Sequence, residues 1–314
     1  MQAEEAGRPD QATAQATATS AAEAVAALRE RGELWEVAPG LVGLRGAALG
    51  LQRALTARIS RHARACADEE WQVPQGLGLE ALARGGVFSG FPQWLTLASH
   101  LSAGPGALEA VAGAENPAEA ACRSIAPAGA ALPSAVCWHC YAALADRVLA
   151  APRRITLEAT CWRHEAGRFA PLERGWAFTM REVVFLGEPL EAARFLEEQL
   201  EAALLLARGL GLSPEVEQAE DPFFAGSARG RALLQRVKGL KREVTLPLGD
   251  GRRLAVFSAN QHEAFFGEAF GLRLPSEKPC WSACAAFGLE RWLLAFLVQH
   301  GADPAGWQDL EVTP

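Results

Sequence analysis

Apolar residues change their period along this chain. Between Leu49 and Ile59 they recur at Leu51, Leu55 and Ile59, the four-residue spacing that lines one face of a helix. Just before it, Leu34, Trp35, Val37, Leu41, Val42 and Leu44 predict a short strand or turn leading into that helix. Trp71 to Pro74 reads as a strand ending in a turn, and Glu80 to Arg84 as a short helix broken by Gly85-Gly86. Val87 to Pro92 forms an irregular apolar junction. From Leu132 onward, short strand-like runs alternate with turn residues. They are Ala135 to Trp138, Ile155 to Cys161, Gly175 to Phe185, Lys241 to Pro247, Arg253 to Ala259 and Trp281 to Phe287. Two helices stand among them. Leu190 to Arg208 places Leu196, Leu200, Ala203, Leu204 and Ala207 on one face, and Leu289 to His300 carries Trp292, Leu293, Phe296 and Leu297. Hairpin-joined strands with helices packed on them predict an α+β architecture with a mostly antiparallel sheet.

The ends and the composition narrow this picture. Residues 1–24 hold no large aliphatic side chain after Met1, so they are expected to form a disordered Ala-rich tail, leaving 25–314 as one domain. Half of the 314 residues are hydrophobic and 21% are charged, which excludes a wholly disordered chain and a collagen-like one. The net charge of −7 repels nucleic acid unless a local basic patch overrides it. Basic residues are almost all Arg, the better bidentate clamp for phosphate and carboxylate, although coding bias accounts for the ratio equally well. Lysines stand only at Lys238, Lys241 and Lys278. Seven cysteines, an odd number, do not fit a disulfide framework. There is no basic, apolar leader and no run of about 18 apolar residues, so neither a signal peptide nor a membrane span is expected, and the reducing cytoplasm is the default. No internal repeat, GxGxxG or GxxxxGK[ST] motif is present, which leaves dinucleotide-fold and P-loop nucleotide sites unsupported.

The residue types that carry chemistry fall in four places. Thr160-Cys-Trp-Arg-His-Glu165 puts Arg163 and Glu165 two apart, on one face if the strand continues. They read as a structural ion pair or as a phosphate clamp. Arg181-Glu182 repeats the theme on the return strand, and Ala166 to Gly175 forms a polar hairpin loop with Arg168, Glu173 and Arg174. Cys137 and Cys140 form a CxxC enclosing His139, while Cys280 and Cys284 lie four apart. The second spacing does not suit a four-cysteine knuckle. A catalytic zinc with one Cys from each region plus a carboxylate competes with the reading of small buried hydrophobes. A thioredoxin-like CxxC is disfavoured because no helix N-terminus is evident beside it. Arg291 opens a helix whose positive end disfavours a cation, so it reads as a phosphate contact or as a surface side chain. Asn260 and His262 follow a strand and read as pocket-lining or as packed polar residues.

Together these residues resemble the catalytic domain of class II aminoacyl-tRNA synthetases. Thr160 to Glu165 with Phe178-Thr-Met-Arg-Glu182 resembles motif 2, Phe287-Gly-Leu-Glu-Arg291 resembles motif 3, and the junction ending in Phe91-Pro92 stands where the dimer-forming motif 1 is sought. Within the class the chain is most similar to zinc-dependent seryl-tRNA synthetases and, above all, to their truncated relatives, the amino acid:[carrier protein] ligases, over roughly residues 35 to 300. The resemblance implies a class II synthetase-like antiparallel sheet flanked by helices, working as a homodimer. It implies that Arg163 holds the ATP α-phosphate, Glu165 the surrounding network, Phe178 the adenine and Arg291 the γ-phosphate. Glu243 takes the place of the acid near ATP and its Mg²⁺. It further implies a zinc held by Cys137, Glu182 and Cys284. The positions fit: Glu182 lies nineteen residues after Arg163, Cys284 seven before Arg291, and Cys137 four before Tyr141, with Cys140 in reserve. Asn260, Trp281 and Ser282 would line a pocket for a small amino acid, glycine or alanine. The implied reaction is AMP-forming activation followed by transfer to the phosphopantetheine thiol of an acidic carrier protein. Arg229, Arg231, Arg236 and Lys238 are the candidate docking cluster, or a solvated charged face. The N-terminal stretch shows no tRNA-binding arm, so tRNA is the less expected acceptor. A class II homologue charging tRNA and a non-catalytic, partner-binding paralogue remain the alternatives.

Overall fold

The computed structural model describes residues 19–224 and 235–307, and five of the six strand-like runs found in the sequence from Leu132 onward join one sheet within it. The strands, in chain order, are β1 (Leu34–Ala38), β2 (Leu41–Leu44), β3 (Glu69–Trp71), β4 (Leu77–Gly78), β5 (Thr96–Ala98), β6 (Ala130–Leu132), β7 (Arg153–Trp162), β8 (Ala177–Gly187), β9 (Glu215–Gln218), β10 (Lys241–Pro247), β11 (Arg253–Glu263) and β12 (Trp281–Gly288). The main sheet runs β3-β7-β8-β12-β11-β10-β9. Its pairings are antiparallel except at one edge, where β3 lies parallel to β7. β1-β2 and β4-β6-β5 form two small satellite sheets.

Alternation divides each central strand between two cores. On β12, Ala283, Ala285 and Phe287 join the larger core with Trp292, Phe296, Phe195 and Leu200. That core is covered by the helices Ala21–Glu30, Gly46–Ala65, Pro189–Gly209 and Leu289–His300. The intervening Cys284 and Ala286 join Tyr141, Phe266 and Phe270 in the second core. There the helices are short, six residues each: Leu79–Arg84, Trp138–Ala143 and Phe265–Phe270. Short helices leave room above the sheet, and the cavity described below opens on this side.

Two sequence expectations change. The helix Ala21–Glu30 begins inside the stretch read as a tail. Ser20 caps it by accepting from Glu23 N, Glu23 bonds back to Ser20, and Ala21 and Ala24 are buried, so the folded region starts before residue 25. Residues 1–18 lie outside the described residues. Ala135 to Trp138 is not a strand. It turns into the helix Trp138–Ala143, with Cys137 immediately before it, so the helix N-terminus that the sequence failed to reveal beside the CxxC exists. Phe91, in the junction where motif 1 is sought, stacks on Trp94 at 4.4 Å and on Phe223 at 4.8 Å and lines the cavity described below. Among the described residues, no helix is long and apolar enough to cross a membrane.

Candidate active site

One cavity of about 730 Å³ runs over the sheet, with a thiol and carboxylate cluster among its walls and a group of arginines among the others. At the first place, β8, β12 and the turn before Trp138 bring Cys137, Glu182 and Cys284 together. One donor atom from each lies within 4.8 Å of the other two, and all three residues are buried. Glu182 projects from mid-strand and is fixed by two backbone donors: Oε1 accepts from Val136 N at 2.9 Å and Oε2 from Cys137 N at 3.1 Å. Burial and then the Cys284 charge raise its carboxyl to about 7, against those hydrogen bonds. Cys137 donates its thiol proton towards Cys284. That hydrogen bond, helped by His262 and opposed by burial, holds the Cys284 thiol well below its usual range. The same bond, with burial and the Glu182 charge, pushes Cys137 up.

A β-bulge supplies the next layer. The β11–β12 register slips between Gln261 and Glu263, leaving His262 as the extra residue. Its Nε2 lies 3.8 Å from Cys284 Sγ, and its Nδ1 lies 3.3 Å from Tyr141 OH and 3.4 Å from Ser282 Oγ. Asn260 Nδ2 donates to Cys284 Sγ at 3.6 Å. The donor set fits zinc: two soft sulfurs and one carboxylate are close enough to share one ion, whereas magnesium and calcium prefer oxygen. Three protein ligands also leave a fourth position open, as catalytic zinc requires. Among the described residues this is the only group of three or more such donors placed to share an ion.

The arginine end is built from β7, β8, β10 and the start of the helix Leu289–His300. Arg163 donates Nε to Ser134 O at 2.9 Å. Its guanidinium carbon stands 4.4 Å from the Trp94 ring and 5.3 Å from Phe178. Arg291 donates Nε to Glu173 O and Nη1 to Ala255 O, both at 2.9 Å, and burial lowers its pKa from the usual value. This answers the misplaced charge noted in the sequence: Arg291 turns across the sheet instead of lying along its own helix. Glu290, the acid beside it, accepts from Thr179 N through both carboxylate oxygens, continuing the ladder of β8 past the end of β12. Lys241 Nζ lies 3.0 Å from Glu243 Oε1 and 2.8 Å from Asp221 Oδ1.

Arg163, Glu165, Phe178, Glu182, Glu243, Asn260, Cys137, Cys284 and Arg291 all line this cavity. Three expectations for individual residues change. Glu165 lies past the end of β7 with φ of 45° and pairs with Arg174 at 3.2 Å, so it does not form the same-face pair with Arg163. Trp281 packs against the larger core, across the sheet from Cys284, and does not line the cavity. Ser282 is wholly buried behind His262 and reaches the cavity only through it. Cys140 is buried in the second core, outside the cluster, and burial raises its thiol, so the geometry selects Cys137. Of the docking candidates, Arg236 pairs with Glu220 and Lys238 with Glu263, while Arg229 and Arg231 lie outside the described residues. Sequence reasoning missed Trp94, Lys241 and the partners of His262. Lys241 carried a usable signal, since it is one of three lysines and stands two residues before Glu243 on a strand.

No protein-family model matches the chain. Two proteins of Bradyrhizobium diazoefficiens, amino acid–[acyl-carrier-protein] ligases 1 and 2, are 30% and 31% identical to it over 256 and 272 residues. Those matches cover 81% and 86% of this chain and 78% and 80% of theirs. The chain belongs to the amino acid–[acyl-carrier-protein] ligase family. A type-2 serine–tRNA ligase of Methanopyrus kandleri is 33% identical over 197 residues, 58% of this chain and 37% of that one. The M. kandleri SerRS solved with A. aeolicus tRNASec superposes with a TM-score of 0.80 at 24% identity, over 90% of this chain and 58% of that one. The cytoplasmic serine–tRNA ligase of Naegleria fowleri solved with AMP gives 0.68 at 12%, over 90% and 62%. The ligase family member therefore has the class II aminoacyl-tRNA synthetase-like fold.

Proposed function

We propose that this ligase-family chain activates a small amino acid, glycine or alanine, with ATP and passes it to the phosphopantetheine thiol of an acidic carrier protein. The observation that carries this reading is the joining of Cys137, Glu182 and Cys284 to Arg163, Phe178 and Arg291 in one cavity. The first group suits a zinc ion that, when bound, supplies an open Lewis-acidic position for an α-amino group. The second suits a nucleotide triphosphate.

Phe178 offers a ring for adenine, and Arg163 and Arg291 place two guanidinium groups where phosphoryl charge accumulates. Each guanidinium has five donors and uses some of them on carbonyl oxygens, which fixes its plane before substrate arrives. Glu243 is proposed to face the Mg²⁺ that accompanies ATP. Magnesium usually takes one or two carboxylates plus phosphates, so one acid suffices. In the proposed first step a carboxylate oxygen of the amino acid bonds to the α-phosphorus, the bond to the β-phosphate oxygen breaks, and pyrophosphate leaves. In the second step the carrier thiol, losing its proton to solvent, attacks the acyl carbon and AMP departs. The chain's own contribution is positioning and charge stabilisation, the main work in phosphoryl transfer.

The side-chain pocket is assigned to the surroundings of Asn260 and His262, because Trp281 lies across the sheet. Homodimerisation belongs to the same proposal. Amino-acid-dependent ATP–pyrophosphate exchange tests it, followed by transfer assays against a holo carrier protein and against tRNA. Exchange with glycine or alanine and acylation of the carrier are the expected results. Exchange without carrier acylation but with tRNA charging would replace the acceptor, and no exchange with any amino acid would overturn the proposal.

A further inference from the structure

Segment 219–224 borders the arginine end of the cavity and reaches Arg163 and Glu243 by separate routes. Ala219 N donates to Lys241 O at 3.1 Å, Phe224 N to Gly90 O at 2.8 Å, and Gln93 Nε2 to Pro222 O at 2.8 Å, so the segment is tied down on both sides. One route is aromatic. Phe223 stacks on Phe91 at 4.8 Å and Phe91 on Trp94 at 4.4 Å, with only 8° between the last two planes. Trp94 in turn stands 4.4 Å from the Arg163 guanidinium. The other route is ionic. Asp221 Oδ1 accepts from Lys241 Nζ at 2.8 Å, and the same ammonium meets Glu243 at 3.0 Å. Asp221 is itself held, with Oδ2 accepting from Gln235 Nε2 at 2.9 Å and its N–H donating to Gln235 Oε1 at 2.7 Å.

We infer that segment 219–224 is a positioning strap for the ATP end of the cavity: Phe223 sets the plane of Arg163 through Phe91 and Trp94, and Asp221 sets Glu243 through Lys241. The inference rests on the adenylating reading of the site. The chemistry of the contacts argues for it over mere packing. The Lys241 side chain is only 12% exposed and answers two carboxylates, one on its own strand and one on the strap. A buried ammonium holds a fixed place only where its partners do, so the position of Glu243 depends on Asp221. Arg163 makes one hydrogen bond to a carbonyl and one long contact, 4.0 Å from Nη2 to Met180 Sδ, and otherwise rests between Trp94 and Phe178. A guanidinium held on ring faces follows the ring, and Trp94 is backed by the stack that ends on the strap. Displacing the strap would therefore misalign the phosphate clamp and its facing acid together, while leaving Cys137, Glu182 and Cys284 in place.

The test compares Phe223→Ala and Phe223→Trp, and Lys241→Met and Lys241→Arg, with the unaltered chain. Zinc content, ATP binding by calorimetry, and the kcat and both KM values of ATP–pyrophosphate exchange are measured for each. Phe223→Ala and Lys241→Met are expected to raise the KM and the dissociation constant for ATP about tenfold and to lower kcat. The KM for the amino acid and the zinc content should stay within about twofold, and Phe223→Trp and Lys241→Arg should recover most of the loss. Folded variants with unchanged ATP affinity, equal changes in both KM values, or no rescue by the conservative variants would overturn the inference alone. No exchange by the unaltered chain would overturn the adenylating reading and this inference with it.

Discussion

The two ends of the cavity solve opposite electrostatic problems. At one, Cys137, Glu182 and Cys284 crowd three acidic groups into a buried corner, and the protein keeps a proton on Cys137 and raises Glu182 to about 7. At the other, Arg163, Arg291 and Lys241 gather cations, but each is already engaged by a carbonyl, a ring or a carboxylate. A cation held among the donors of the acidic corner, as proposed above, would balance that charge. The cationic end is set before a ligand arrives and stands ready for an anion. The difference teaches that metal loading should be strongly tied to protons, whereas nucleotide binding should depend mainly on geometry.

The largest expected effect breaks the acidic corner. Cys284→Ser or Glu182→Gln should weaken zinc binding by more than about 100-fold, read by competition with a chelator, and remove exchange activity with it. Next, Arg291→Ala or Arg163→Ala should lower exchange by about 10² to 10³ while zinc content stays at its normal level. Arg163→Lys should rescue little, because a point charge cannot reproduce the flat group held between Trp94 and Phe178. A smaller effect is expected at the surrounding donors. Asn260→Ala or His262→Ala should cost about tenfold in zinc affinity, since both reach the Cys284 sulfur.

Protonation sharpens the comparison. The Glu182 carboxyl is raised in the folded, metal-free chain, so that state binds an extra proton between the usual value of 4.5 and about 7. Its stability should therefore fall as pH rises through that window, because ionising the buried group favours unfolding. Thermal melting of the metal-free protein from pH 5 to 7.5 should show this decline, and Glu182→Gln should flatten it. Zinc affinity should move the opposite way and strengthen with pH, because binding expels the same proton. The smallest effect on catalysis is expected across the sheet. Trp281→Ala should destabilise the fold by about 2–3 kcal/mol through lost packing, yet leave both KM values unchanged.

β7, β8, β10, β11 and β12 were legible because apolar runs of strand length are bounded there by turn residues, whereas β9, whose four residues are all exposed, carries no such signal. The lysine-to-proline strand and the final helix fall where the sequence placed them. Ala135 to Trp138 misled because a short apolar run fits a strand and a buried helical turn equally well. The ligand triad came from spacing against a known family, and its members meet although 147 residues separate the first from the last. What stayed hidden depends on facing and register. Period-2 alternation places Trp281 opposite Cys284 once Cys284 faces the cavity, so the pocket role expected for Trp281 conflicts with the zinc role expected for Cys284. The bulge at His262 was a different matter, because nothing local in the sequence announces one extra residue in a ladder. The contacts of Lys241 with Asp221 and of Arg163 with Trp94 depend on tertiary packing.

The most direct test compares ATP–pyrophosphate exchange on glycine and alanine with exchange on acetate and propionate, before and after zinc is removed. The account predicts exchange only with the amino-bearing acids, lost on chelation and restored by zinc. Exchange that persists without zinc, or that proceeds equally with acids lacking the α-amino group, would contradict it.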